Sequence, residues 1–190
     1  MAASITTTYD GNVPHYCLNC GNPLVVRPVE GQQLEACESC DFVLWRDPKV
    51  VTMVVVEDGA GEVVLGRRGT EPGHGLWCLP GGFVNSEEHP AESAVRECQE
   101  EINAAVEITG LLGVYHIGRR DAPGMVAIGY RARLLAGEVP STGSEMLEVA
   151  TFGRDRLPDL VFPSHREAMR DWLAAGEQSC SGARPQTEER

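Results

Sequence analysis

Hydrophobic residues along this chain fall into short runs bounded by turn residues, which is the pattern of β-strands. A run of Val, Thr and Met at 50–56 is followed by a turn at 58–61 and by a second apolar run at 62–67. Because Gly and Asp occupy the turn, this pair of runs is predicted to form a β-hairpin. Further β-like stretches are 105–117, 125–135 and 147–152.

Apolar residues recur at helical spacing in two segments. The first, 90–102, has Pro90 at a position that favours the start of a helix. The second is 164–175, with Ser164 as the expected N-cap. Two helices among several strands predict a mixed α/β sandwich and not a repeated βαβ unit. Residues 177–190 are small and polar, and we expect a disordered tail there.

The 190 residues suffice for one globular domain and a small appendage. Because 28 Asp and Glu outnumber 16 Lys and Arg, the net charge is −12 and nucleic acid is not expected as a partner. No apolar run approaches the ~18 residues of a membrane span. The polar segment 1–16 lacks the pattern of a secretory signal, so we expect a cytoplasmic location. Lys49, the single lysine, lies outside any P-loop motif.

Four of the seven cysteines form two C-x-x-C pairs separated by sixteen residues. The pairs are Cys17 with Cys20 and Cys37 with Cys40. This spacing is typical of a zinc ribbon, in which four thiolates bind one Zn²⁺ tetrahedrally and leave no open position for catalysis. Redox dithiols or disulfides are the alternative. We expect a structural Zn²⁺ in a domain over 1–47 that packs on the main domain or on a partner subunit, since the segment has no basic face.

Three carboxylates share one side of the first predicted helix. At ~100° per residue, Glu97, Glu100 and Glu101 lie on a common arc. Like charges at this spacing destabilise a helix by a few tenths of a kcal/mol per pair, and Arg96 offsets only part of that. A solvated acidic face is one interpretation. A divalent cation such as Mg²⁺, which takes hard oxygen ligands and bridges them to phosphates, is the other.

The spacing around this helix resembles a known family. Gly82, five residues, Glu88, seven residues and then Arg96-Glu97-Cys98-Gln99-Glu100-Glu101 are similar to the Nudix box. The preceding segment 75–81 resembles the lead-in strand of that family. Two positions differ, because Asn103 replaces the second glycine of the box and Ala104 its last apolar residue. Asn tolerates the left-handed conformation that ends a helix, so we expect little cost.

The resemblance implies a Nudix fold, an α/β/α sandwich with a mixed sheet, over 48–176. It also implies hydrolysis of a nucleoside diphosphate linked to another group, assisted by Mg²⁺ or Mn²⁺, in a homodimer. Arg96 would orient Glu97, and Glu88 would brace the loop against the helix. The implied ligands of the catalytic metal are Glu97, Glu100, Glu101 and the carbonyl of Gly81.

Further site residues are expected outside the box. A later loop often supplies the general base, and Glu148 is preferred over Glu145 as base or additional ligand. Trp77, Phe83 and Tyr115 are either stacking partners for a nucleoside base or core residues. Four arginines are candidates for binding phosphate, with simple solvation as the alternative: Arg67, Arg68, Arg119 and Arg120.

Two branches of the family carry a zinc ribbon before the Nudix domain. One is the NADH pyrophosphatases, but the segment His116–Gly124 lacks their Ser-Gln-Pro-Trp-Pro-type array. The spacing Glu145-x-x-Glu148-x-x-x-Phe152 resembles the ADP-ribose and FAD pyrophosphatases, and we favour that branch. The expected products are AMP and a phosphorylated fragment. Cleavage of nucleoside triphosphates, and a non-catalytic module that senses a nucleotide, are the remaining alternatives.

Overall fold

The computed structural model describes residues 15–118 and 124–181, with side chains described through 176. Arg119, Arg120 and most of the expected tail, 182–190, lie outside these residues. The chain divides into two compact units, which are Met1–Pro48 with Gly118–Gly124, and Lys49–Ile117 with Met125–Arg190. Within the described residues, no helix is both long enough and apolar enough to cross a membrane.

The smaller unit contains an antiparallel sheet of three short strands. These strands are β1 (Leu24–Val29), β2 (Gln32–Cys37) and β3 (Val43–Leu44), with β2 in the centre. Glu30 and Gly31 form the β1–β2 turn, and both have positive φ angles, 48° and 80°. The buried side chains of this unit include Leu34, Ala36 and two of the cysteines, so its core is small.

The larger unit is a mixed sheet with a helix on each face. Its elements are β4 (Lys49–Glu57), β5 (Val63–Arg68), β6 (Trp77–Cys78), α1 (Pro90–Ile102), β7 (Val106–Ile117), β8 (Met125–Leu134), β9 (Met146–Phe152) and α2 (Pro163–Ser181). The strand order is β6-β5-β4-β8-β7, and β9 pairs with β5. Strand β4 runs parallel to β8, whereas the other pairs are antiparallel. The predicted α/β sandwich is therefore confirmed.

Strand β4 explains why both faces of the sheet carry a helix. Its alternate residues Met53 and Val55 belong to one buried cluster, which includes Trp172 of α2. Val54 and Val56 belong to a second cluster, which includes the apolar side of α1: Ala94, Cys98 and Ile102. A strand buried on both faces reads as a continuous hydrophobic run, which is the sequence seen here. Each such side chain contributes about 1.5–3 kcal/mol by leaving water.

The predicted elements agree with the structure except around the second helix. The hairpin, the three later strands and the helix 90–102 are all confirmed. Helix α2 begins at Pro163, so the prediction of Ser164 as N-cap is wrong; proline is favoured in the first helical turn because its missing N–H has no partner there. The helix also continues to Ser181, so the first residues of the expected disordered tail have helical backbone.

Candidate functional site

Helix α1 is fixed at both ends by side-chain hydrogen bonds. At its start, His89 Nδ1 accepts a hydrogen bond from the Ala91 N–H at 3.2 Å. The Glu92 carboxylate accepts one from the His89 N–H at 3.0 Å. At its end, Asn103 has a φ of 48°, in the left-handed region expected for this replacement of glycine. Its Nδ2 also donates to the Thr142 carbonyl at 2.8 Å, a bond that glycine does not offer.

Two carboxylates on α1 are buried, which is rare for glutamate unless a partner is present. Glu97 is 9% exposed and Glu101 is 5% exposed. The Gly81 N–H donates to Glu101 Oε2 at 2.9 Å. Burial, and to a smaller degree the charge of Glu97, raise the pKa of Glu101 to about 8. Burial also raises the pKa of Glu97. The surroundings of both carboxylates therefore disfavour their charged forms.

Arg96 lies between the loop and the helix and binds three carboxylates. Its Nε and Nη2 donate to the two oxygens of Glu88 at 3.0 and 2.7 Å. Its Nη1 donates to Glu97 at 2.8 Å and to Glu100 at 3.0 Å. The bond from Arg96 and one from the Asn85 N–H lower the pKa of Glu88 to about 2. Arg96 thus holds one oxygen of Glu97 and ties the loop to α1.

The glycines before the helix are required by close packing. Gly81 has a φ of 152°, and a Cβ there would overlap the carbonyl oxygen of Thr52 on β4. A Cβ on Gly82 would overlap the carboxylate of Glu97. This segment therefore approaches both the strand and the buried carboxylates more closely than any side chain would permit.

The loop before β9 is held against the C-terminal end of α1. The Gly143 N–H donates to the Glu101 carbonyl at 3.0 Å, and the Ser141 N–H donates to the Ile102 carbonyl at 2.9 Å. Farther along this loop, the Glu145 carbonyl accepts the Gly69 N–H at 2.7 Å. The charge of Glu145 raises the pKa of both Glu97 and Glu101. The backbone of this loop is therefore fixed between the end of α1 and Gly69.

Glu148, the residue preferred from the sequence as general base, has a different environment. It is opposite Arg67 in the β5–β9 ladder, and Arg67 Nη1 donates to its Oε2 at 2.9 Å. Both side chains are exposed. No charge from Glu148 acts on the pKa of Glu97 or Glu101 among the causes resolved for them, whereas Glu145 acts on both. Glu148 thus forms an exposed ion pair on the sheet, whereas Glu145 lies two residues after Gly143, whose N–H is bonded to the end of α1.

The three aromatic candidates differ in exposure, since Tyr115 is buried, Trp77 is partly buried and Phe83 is exposed. Trp77 packs edge-on against Phe152 with 4.9 Å between ring centroids, beside the α2-side cluster. Tyr115 is buried, and its hydroxyl donates to Asp171 at 2.7 Å. Phe83 is 52% exposed. Its ring lies 5.2 Å from the Lys49 ammonium and lines a surface cavity of about 500 Å³, so of the three rings it is the one exposed at a cavity.

Arg68 acts electrostatically on Glu101, whereas Arg96 acts on Glu97. The charge of Arg68 lowers the pKa of Glu101. Its Nε donates to the Pro72 carbonyl at 2.9 Å, and its guanidinium lies 5.1 Å from the centre of the Phe162 ring. Arg68 is therefore held in place near Glu101, whereas Arg67 is paired with Glu148.

The box carboxylates suit a hard divalent cation, although they are not gathered into a closed cluster. Glu97 and Glu101 offer buried oxygens whose pKa values are raised mainly by burial, and a cation would stabilise their charged forms. Glu100 is exposed and paired with Arg96. Among the described residues, Cys17, Cys20, Cys37 and Cys40 are the one set of three or more candidate ligands with all donor atoms within 4.8 Å of one another.

The cysteines of the smaller unit fit zinc. Sγ–Sγ distances are 3.5 Å for Cys17–Cys40 and for Cys20–Cys37, and 3.7 Å for Cys20–Cys40. Each C-x-x-C loop also turns a backbone N–H toward its first sulfur, Asn19 to Cys17 at 3.4 Å and Ser39 to Cys37 at 3.3 Å. Such bonds stabilise thiolates, and four thiolates in this arrangement are typical of a structural zinc site.

His165 was missed by the sequence analysis. Its Nδ1 accepts the Leu79 N–H at 3.1 Å, which connects α2 to the segment before Gly81. In the sequence it is one polar residue near a helix start, and no local spacing ties it to a glycine loop 84 positions earlier. A contact of this kind is visible only in the folded chain.

Comparison with known proteins identifies the family. The NUDIX domain matches residues 47–174 of this chain. The chain belongs to the Nudix hydrolase family. The predictions of a Nudix fold and of a Nudix pyrophosphohydrolase are thereby confirmed.

Solved and curated relatives agree with this assignment. The crystal structure of a Nudix hydrolase from Nitrosomonas europaea superimposes with a TM-score of 0.76 at 30% identity, covering 86% of this chain and 92% of that one. An ADP-ribose pyrophosphatase of Methanocaldococcus jannaschii is 31% identical over 133 residues, which is 70% of this chain and 77% of the relative. The NAD-capped RNA hydrolase NudC of Pseudomonas aeruginosa is 27% identical over 82% of this chain, which spans about half of that protein (52%).

Proposed function

We propose that this Nudix hydrolase cleaves the diphosphate bond of ADP-ribose. Water adds across the P–O–P linkage, giving AMP and ribose 5-phosphate. The observation that carries the proposal is the pair of buried carboxylates on α1, Glu97 and Glu101, beside a glycine segment that leaves no room for side chains. The ADP-ribose pyrophosphatase of M. jannaschii, at 31% identity, supports the choice of substrate. FAD, which contains the same adenosine diphosphate group, is a further substrate to test.

Glu97 and Glu101 are the proposed ligands of the catalytic Mg²⁺ or Mn²⁺, with Glu100 and the carbonyl of Gly81 as further donors. When bound, the cation supplies charge neutralisation of the diphosphate and lowers the pKa of the attacking water. Arg96 keeps Glu97 oriented through the 2.8 Å bond described above. Glu88 holds Arg96 with both oxygens and so braces the loop.

Glu145 is the proposed general base. It accepts the proton of the attacking water, and its backbone is fixed by the bond between its carbonyl and the Gly69 N–H. Arg68, whose charge already acts on Glu101, is proposed to bind a phosphate oxygen. Phe83 is proposed to stack on the nucleoside base, because its ring is exposed while Tyr115 is buried and Trp77 is partly buried against the core.

NADH is the second candidate substrate. The similarity to NudC covers 82% of this chain at 27% identity, and that protein acts on NAD-capped RNA. Both NADH and ADP-ribose contain an adenosine diphosphate group, so the same carboxylates would serve either reaction. We rank NADH second because the chain spans 52% of that relative against 77% of the ADP-ribose pyrophosphatase.

The test is a substrate panel with the purified full chain. ADP-ribose, FAD, NADH and a nucleoside triphosphate are incubated separately with Mg²⁺, with Mn²⁺ and with a chelator, and the products are separated by chromatography. We expect AMP and ribose 5-phosphate from ADP-ribose, with metal only. A higher kcat/KM for NADH would move the enzyme to the second candidate. If every compound binds and is recovered intact, the protein is a nucleotide-sensing module.

A further inference from the structure

His165 of α2 is hydrogen bonded to the segment that leads into the glycines of the active site. The segment Leu79–Gly82 follows β6 and lies beside β4. The Val54 N–H donates to the Pro80 carbonyl at 2.9 Å, and the Thr52 N–H donates to the Gly82 carbonyl at 2.8 Å. These two bonds attach alternate residues of the segment to the sheet.

The N–H groups of the other two residues, Leu79 and Gly81, donate hydrogen bonds to side chains. Here the Leu79 N–H donates to His165 Nδ1 at 3.1 Å, and the Gly81 N–H donates to Glu101 Oε2 at 2.9 Å. One short segment is thus held by β4 through its carbonyls, and by His165 and Glu101 through its amides.

The imidazole of His165 is suited to accept a hydrogen bond and not to donate one from Nδ1. Burial lowers its pKa to about 3, and the charges of Arg68 and Arg166 act in the same direction. The ring is therefore neutral at physiological pH, with Nδ1 as acceptor and the proton on Nε2. Its orientation is supported by Phe162, whose ring meets it edge-to-face with 5.0 Å between centroids.

We infer that His165 is a positioning residue for the catalytic carboxylate Glu101. By accepting the Leu79 N–H, His165 fixes the segment that contains Gly81. The Gly81 N–H in turn orients the carboxylate of Glu101. A Cβ at Gly81 would overlap the Thr52 carbonyl oxygen, so the segment lies directly against β4 at the residue that donates to Glu101. This inference rests on the proposed function, because it requires that Glu101 is a ligand of the divalent metal.

Two substitutions separate the hydrogen bond from the packing of the ring. His165→Phe keeps a ring and removes the acceptor, whereas His165→Asn removes the ring and keeps an oxygen near the position of Nδ1. Mn²⁺ binding to the purified full chain is measured by the loss of the free-ion signal in electron paramagnetic resonance. We expect His165→Phe to weaken Mn²⁺ binding about 10-fold, as for residues that orient metal ligands, and His165→Asn to stay within about 3-fold of the native protein.

Turnover of ADP-ribose gives a second, independent readout. If His165 acts through metal binding, a saturating concentration of Mn²⁺ restores most of the kcat of His165→Phe, and KM for ADP-ribose changes little. The opposite order of the two variants, with Asn more damaging than Phe, would mean that His165 serves only the packing of α2. Equal Mn²⁺ affinity in both variants and the native protein would also overturn the inference.

Glu101→Gln distinguishes failure of this inference from failure of the proposed function. If Glu101→Gln binds Mn²⁺ and turns over like the native protein, the proposed site is wrong. If Glu101→Gln fails and His165→Phe is unaffected, only the role of His165 is wrong. Should His165→Phe not fold, ¹⁵N resonances of the native imidazole decide the matter, because a proton on Nδ1 or a charged ring at pH 7 would contradict the assigned bond.

Discussion

The cysteines of the small unit and the carboxylates of α1 are two candidate cation sites that differ in how their donors are arranged. Four thiolate sulfurs lie within 4.8 Å of one another and form a closed set for a soft-ligand metal. The carboxylates of Glu97 and Glu101 are buried but not enclosed by further donors of the same kind, and Glu100 is turned to Arg96. A closed site serves structure, whereas an incomplete one leaves positions for a substrate and water.

The two sites also differ in what holds the donors. In the ribbon, each C-x-x-C turn delivers two sulfurs locally, with backbone N–H bonds to Cys17 and Cys37. At α1, the helix supplies the carboxylates, but an amide of a glycine segment and a loop before β9 complete the surroundings. We therefore expect the ribbon to depend on its metal for order, and the α1 site to be preformed without one.

Removal of zinc should produce the largest effect. A structural Zn²⁺ contributes about 10–16 kcal/mol to the folding of small metal domains, so Cys37→Ser should lose the metal and the order of 15–45. Zinc content by elemental analysis and limited proteolysis measure this. Ser39→Ala in the same loop is the matched control and should retain one zinc per chain. Absence of zinc in the native protein would refute the assignment.

Loss of a buried carboxylate should abolish most turnover. Glu101→Gln and Glu97→Gln remove a charge that no neighbouring group replaces, and we expect kcat to fall about 10³-fold. The midpoint of thermal unfolding should not fall in either variant. Replacing one buried carboxylate by an amide removes the cost of burying a charge and the repulsion between the two carboxylates. Steady-state kinetics and thermal unfolding are the measurements. Retention of native kcat in either variant would place the chemistry elsewhere.

The two glutamates of the later loop should differ clearly. Glu145→Gln removes the proposed base, for which we expect a loss of about 10²-fold in kcat. Glu148→Gln breaks an exposed ion pair with Arg67, which contributes little, so activity should be near native. The matched pair is assayed with ADP-ribose at saturating Mg²⁺. A larger loss in Glu148→Gln would restore the preference drawn from the sequence.

Substitutions of Asn103, at the C-terminal end of α1, should have the smallest effect, and it should be on the free energy of unfolding. Asn103→Gly keeps the left-handed cap and should change the free energy of unfolding by less than about 1 kcal/mol, since only the bond to Thr142 is lost. Asn103→Val places a β-branched residue at a φ of 48° and should cost about 1–2 kcal/mol. Denaturant unfolding compares the two. Equal free energies of unfolding for the two variants would mean that the left-handed backbone at position 103 does not restrict the choice of residue.

Part of this site could be predicted because its determinants are local. The spacing of Glu97 and Glu101 places both on one side of a helix, and each C-x-x-C pair is one turn. Glu145 and Glu148 could not be ranked in this way, because they are three residues apart and only the β5–β9 register pairs Glu148 with Arg67. The interpretation of Trp77 and Tyr115 stayed open for the same reason, since burial is a property of the packed sheet.

By itself the sequence determined the elements whose patterns repeat over a few residues, namely the hairpin, helix α1, the two C-x-x-C turns and the row of box carboxylates. Tertiary structure alone decided which carboxylates are buried, which arginine is paired, and that His165 reaches Leu79 from 86 residues away. The physical reason is the distance along the sequence over which each interaction acts. Helix and turn geometry act between neighbours, whereas burial, pKa and long-range hydrogen bonds depend on what the folded chain brings together.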